Sequence, residues 1–91
     1  MRIEFDPVKR AATLEIRGLD FAHAGAVFAG ATLTVKDDRR DYGEDRYITI
    51  GFLDRRMVVL VWTPRHDAYR IISMRKANDR ERKLYGPRFR P

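Results

Sequence analysis

The chain contains no cysteine. That single absence removes disulfide staples, thiolate metal sites and cysteine nucleophiles together. Only two histidines are present, His23 and His66, and two isolated imidazoles without cysteine do not make a zinc site. No apolar run approaches the ~18–20 residues that cross a bilayer. The N-terminus starts with strand-like alternation, not with a basic stretch followed by an apolar one. A cytoplasmic protein with no membrane contact is expected. Repeats and linkers are also lacking, so residues 1–91 read as one domain. A chain of this length buries only ~60–65% of its unfolded surface. A small surface site acting on an extended substrate therefore fits better than a cavity enclosing a cofactor, and neither an organic cofactor nor a metal is expected.

What is present is positive charge, unevenly placed. Residues 64–91 hold nine Lys/Arg against three Asp/Glu, whereas residues 1–63 hold ten of each. The whole formal charge of +6 thus belongs to the C-terminal third. Charge confined to one side of a fold is the footprint of a polyanionic partner. Nucleic acid ranks first because the basic residues alternate with aromatic and β-branched ones, a sheet pattern, and do not form one face of an amphipathic helix. On this reading the N-terminal two thirds are scaffold.

Ile3 and Phe5 alternate with Arg2 and Glu4, a short strand. Asp6-Pro7 can cap and start a helix running to Arg17, closed by Gly18. Asp20 offers a second cap, and Phe21, Ala24, Val27 and Phe28 predict a helix over 21–28 that Gly30 ends. Residues 32–36 have strand character, and the polar stretch 37–45 reads as a solvated acidic loop. Two strands, 47–53 and 57–63, form a hairpin across Asp54-Arg55-Arg56. The run Val58-Val59-Leu60-Val61-Trp62 marks a strand buried on both faces, with Pro64 expected to stop it. A further strand, 69–75, is expected to pair antiparallel to 57–63. Asn78 with Glu81 three residues later forms a capping box for a last helix ending near Tyr85. Residues 86–91 read as a flexible tail. The sum is α+β, helices on a mostly antiparallel sheet, in the order β-α-α-β-β-β-β-α.

Several of these residues, taken together, resemble a known family. Phe5-Asp6-Pro7-x-Lys9, Gly18-x-x-Phe21-x-x-Ala24, Val27-Phe28, Asp38, Gly43-Glu44-x-Arg46, Ile50-Gly51 and Thr63-x-Arg65 look like the BrnT toxins. The most specific part is Arg70-x-Ile72-Ser73-x-Arg75-Lys76-Ala77 followed by Glu81-Arg82-x-x-Tyr85. The chain departs from the usual pattern at the end of helix 1, where Thr13 and Ile16-Arg17-Gly18 replace an Asn and Lys-His-Gly. The resemblance implies a RelE-like fold and a ribonuclease of a type II toxin–antitoxin system that arrests translation. It also implies neutralisation by a BrnA-like ribbon-helix-helix antitoxin, with operator DNA engaged only through the toxin–antitoxin complex.

RNA carries its own nucleophile, the 2′-OH. An enzyme must remove that proton, stabilise charge on phosphorus and protonate the leaving 5′-oxygen. Arginine suits the middle task because its guanidinium stays charged and grips two phosphate oxygens at once. Strand alternation would place Ile71, Ser73 and Arg75 on one face and Arg70, Ile72 and Met74 on the other. Arg65 and Arg75 are therefore expected to clamp the scissile phosphate, with Lys76 adding charge and Ser73 or Thr63 orienting an oxygen. Lys76, Tyr85, His66 and Glu81 are candidates for proton transfer, and Arg70 and Arg82 for substrate binding.

Structural roles compete with each of these. Arg70 can pair with Asp67, Glu81 can serve as a helix cap, Tyr85 can pack on the sheet, and His66 can be a loop bystander. A non-catalytic nucleic-acid-binding module explains the charge split equally well.

Overall fold

The computed structural model describes residues 2–90. Five strands form one sheet: β1 (Arg2–Phe5), β2 (Leu33–Lys36), β3 (Tyr47–Leu53), β4 (Arg56–Arg65) and β5 (Ala68–Lys76). Their spatial order is β1-β5-β4-β3-β2, with β1 parallel to β5 and the other ladders antiparallel. Three α-helices, α1 (Pro7–Arg17), α2 (Ala24–Ala29) and α3 (Asp79–Tyr85), complete the α+β architecture.

One face of the sheet carries the main core. Val58 and Leu60 of β4 and Ile71 and Met74 of β5 meet Ala24 and Val27 of α2 and Phe21 from the segment leading into it. Asp20 starts that segment by accepting from the Ala22 N–H, but residues 21–23 form a 3-10 turn before α2 begins. The expected helix over 21–28 is therefore two pieces. Phe28 stacks on Tyr69 at 4.1 Å, and Trp62 meets Tyr69 edge-on at 4.6 Å. These aromatic residues pack on the scaffold side and are not interleaved with a basic surface as the sequence pattern implied.

Gly51 of β3 lies under α2. A Cβ there would meet Val27 Cγ1 at 2.7 Å and Thr32 Cγ2 at 3.2 Å. Overpacking of this kind costs about 1–3 kcal/mol. Gly51→Ala is expected to lower the urea midpoint accordingly, and an unchanged midpoint would show that α2 does not need the close approach.

Pro64 does not stop β4. The β3 ladder ends at the Tyr47–Trp62 pair, so beyond it β4 has only β5 as a neighbour, an edge where proline is tolerated. The segment read as a flexible tail is also structured up to its last residue, Pro91, which lies outside the described residues. Gly86–Phe89 is a 3-10 turn, and Phe89 meets Phe52 edge-on at 5.0 Å.

A β-bulge does most to position the site. Val61 pairs with Ser73 and Trp62 with Ile71, so Ile72 is an extra residue in β5. The bulge breaks the simple alternation: Ile71 and Met74 both enter the main core, while Ser73 and Arg75 point to the other face. The expectation that Ile71 shares a face with Ser73 and Arg75 fails for this reason. Beyond Ile71, β1 has run out and the outer edge of β5 is flanked by α1, whose Arg17 donates to the Met74 carbonyl at 2.9 Å.

Candidate active site

The second face of the sheet is left partly open. Ile48 and Ile50 of β3 and Val59 and Val61 of β4 floor a cleft of about 410 Å³, and Arg17, Arg39, Ser73, Arg75, Glu81 and Tyr85 line it. Each guanidinium arrives by a different route. Arg17 closes the last turn of α1 and is fastened to the β5 edge. Arg75 lies opposite Val59, directed here by the bulge.

Arg39 comes from the loop between β2 and β3. Asp37, only 4% exposed, binds its Nε and Nη2 at 2.7 and 2.8 Å and also accepts from the Tyr42 hydroxyl at 3.3 Å. The Arg39 hydrogen bonds hold the Asp37 carboxyl down at a pKa of about 2 against its burial, and Asp37 in turn raises the Arg39 value. The Arg39 charge is close enough to Arg75 to work against it.

Arg75 forks onto Glu81 with contacts of 2.7 and 2.8 Å. Glu81 also closes the capping box of α3, accepting from the Asn78 N–H while its own N–H donates to Asn78 Oδ1. The Arg75 hydrogen bonds pull the Glu81 carboxyl down to a pKa of about 2, against burial and with help from Asn78. The carboxylate is thus ionised at neutral pH. Because its folded value lies below the ordinary 4.5, its stabilising effect is complete above that pH and is lost as pH falls toward about 2. Glu81→Gln is expected to flatten the fall in melting temperature between pH 4.5 and 2, while Asp37, lowered in the same way, keeps part of it in both proteins. Identical acid profiles would mean the Arg75–Glu81 pair adds nothing to folding.

A family model described as the ribonuclease toxin BrnT of a type II toxin–antitoxin system matches residues 5–81. The chain belongs to the BrnT family. No curated protein matches it. For a BrnT toxin the target is RNA and the partner is an antitoxin. Among the described residues no three His, Asp or Glu side chains gather as metal ligands, and no helix is long and apolar enough to cross a membrane.

In this BrnT fold the residues singled out in sequence divide sharply. Ser73, Arg75 and Tyr85 converge on the cleft, together with Glu81. Arg65 does not join them. It lies six residues beyond Val59 on β4, about 20 Å along the strand at ~3.3 Å per residue, and its Nη2 donates to Glu44 at 3.2 Å. The expected Arg65–Arg75 clamp on one phosphate is therefore not formed. His66 stands in the β4–β5 turn at that same distant end, with φ of 53°. Thr63 is buried and donates to the Asp45 carbonyl at 2.6 Å, which occupies the hydroxyl expected to face substrate.

Arg70 pairs with Glu4 across the β1–β5 ladder at 2.8 Å, and Asp67, its expected partner, is held by Arg2 instead. Lys76 lines a different cleft, as does Arg82, which donates to the Ala77 carbonyl at 2.7 Å. Sequence reading missed Arg17 and Arg39, both in the charge-balanced part taken as scaffold. The only available signal was the run Asp37-Asp38-Arg39-Arg40, two acids followed by two bases, which composition alone reads as solvated.

Proposed function

We propose that this chain is a metal-independent endoribonuclease of RelE-like fold that cleaves free RNA and thereby arrests translation. The observation that carries this reading is the convergence of Arg17, Arg39 and Arg75 over an apolar sheet face beside Ser73, Glu81 and Tyr85. The RNA 2′-oxygen attacks phosphorus, the new 2′-O–P bond forms, and the P–O5′ bond breaks. The products are a 2′,3′-cyclic phosphate and a 5′-OH. Arg75 and Arg39 take the charge that develops on the non-bridging oxygens, and Arg17 adds a third donor. Ser73 orients one oxygen.

Proton transfer falls to Glu81 and Tyr85. In the free protein Arg75 holds Glu81 too acidic to be an effective base. A phosphate that takes over the Arg75 fork releases the carboxylate, whose value then climbs back toward the ordinary range. Substrate binding and base activation are coupled in this way, and the Tyr85 hydroxyl supplies the proton to the leaving oxygen.

In the cell a BrnA-like ribbon-helix-helix antitoxin neutralises the toxin in the cytoplasm, and the pair represses its operon through the antitoxin's hold on operator DNA. The deciding experiment incubates purified protein with a labelled RNA in EDTA. Cleavage with 2′,3′-cyclic phosphate ends supports the reading, whereas retention of intact RNA at high protein concentration would favour a module that binds without cutting. Rescue of growth by co-expression of the adjacent open reading frame tests the antitoxin.

A further inference from the structure

On the far side of α3 from the catalytic cleft lies a second cleft, of about 430 Å³. Phe52 and Met57 floor it, and Arg55, Arg56, Lys76 and Arg82 surround it with no carboxylate in the lining. Among the described residues Arg55, Arg56 and Lys76 have no ion-pair partner, in contrast to the paired Arg39, Arg65, Arg70 and Arg75. Arg82 is fixed by the Ala77 carbonyl and Asp79. Phe52 remains 37% exposed despite its edge contact with Phe89. The two-residue turn joining β3 to β4 holds Asp54 and Arg55 at φ of 50° and 66°. Aspartate is a usual first occupant of such a turn, but Arg55 takes the second position, where glycine is preferred, and a bulky side chain is kept there at a cost.

The two clefts share a floor. Ile48, Ile50 and Phe52 alternate on one face of β3, so Phe52 lies two residues, about 7 Å, beyond the Ile50 that underlies the catalytic cleft. Tyr85 and Phe89 pack on the cluster between them. An exposed aromatic ring beside unpaired cations is the combination that holds one nucleotide of a single strand, the ring by stacking and the cations by phosphate.

We propose that this second cleft is a nucleotide subsite for the same RNA strand, with a base on Phe52 and its flanking phosphates on Arg55, Arg56 and Lys76. The proposal rests on the ribonuclease reading and extends it: RNA crosses Tyr85 and is gripped on both sides of α3. An acidic protein segment would satisfy the cations, but the floor continuous with the catalytic cleft favours the substrate.

The test compares the Arg75→Ala protein with the same protein also carrying Arg55→Ala and Arg56→Ala, using a labelled single-stranded RNA and fluorescence anisotropy over a salt series. Each single-strand phosphate contact adds about 0.7 to the slope of log K against log salt. The plot is expected to become shallower by about 1 to 1.5, with affinity falling at least tenfold at low salt. In the otherwise native protein, Phe52→Leu is expected to shrink the preference in kcat/KM for a long oligoribonucleotide over a dinucleotide by about tenfold. Unchanged slope and affinity would overturn the subsite. So would unchanged RNA binding with loss of antitoxin rescue, which would assign the cleft to the protein partner. Failure of the native protein to cut any RNA would instead overturn the ribonuclease reading, and the anisotropy comparison would still decide the subsite.

Discussion

Arg75→Ala is expected to lower RNA cleavage by about 10²–10³-fold, the range seen when one preorganised donor to a developing oxyanion is removed. The loss should not reflect unfolding. Arg75 is partly exposed, and its pair with Glu81 is worth at most about 1 kcal/mol to folding after solvent screening. Glu81 keeps its Asn78 N–H partner and the helix cap survives. Melting temperature and antitoxin binding should therefore stay close to those of the native protein while growth arrest disappears. Arg75→Lys should recover little, since a point charge cannot occupy two oxygens in one plane. Full toxicity in the alanine variant would remove Arg75 from the site.

The second large effect is expected at a residue that composition assigns to a solvated loop. Arg39→Ala should slow cleavage about 10- to 100-fold, the rate equivalent of the ~1.5–3 kcal/mol carried by a charge-assisted hydrogen bond. Asp37→Asn tests the positioning separately. Asp37 is buried behind Arg39 and does not face the cleft, so it acts only by holding the guanidinium. The asparagine variant should retain the hydroxyl contact from Tyr42, lose much of the rate, and show faster amide exchange in residues 37–46. Native cleavage rates in both variants would return this loop to the role of a solvated connector.

Local chemistry was legible in the sequence wherever one element decided it. The Asp6-Pro7 start of α1 and the Asn78–Glu81 capping box follow from short-range rules, and the structure contains both. The apolar run of β4 is buried through Leu60, while Val61, on the partly open second face, and Trp62 are only half-buried. The family-like stretch around Ser73 and Arg75 likewise pointed to two residues of the cleft. What failed was long-range. Nothing in residues 69–75 announces that Ile72 is extra, yet that one residue decides which side chains reach the open face. Arg65 and Arg75 are ten positions apart in the chain, but an intervening hairpin sends them to different ends of the sheet. Arg17 and Arg39 were hidden because local charge balance does not record where a guanidinium will be held.

Helix α1 buries none of its side chains. Its side-chain tethers include the Arg10 fork onto Asp20, at 2.7 and 2.9 Å, the same guanidinium over the Phe5 ring at 5.6 Å, and the Arg17 contact with the β5 edge. Peeling it away would uncover little apolar surface, so its opening belongs at the inexpensive end of the protein's local unfolding range. One of the three cations over the cleft is thus mounted on a helix with no buried side chain. Loss of α1 would take Arg17 from the cleft and leave Arg39 and Arg75, which are held by Asp37 and Glu81, in place.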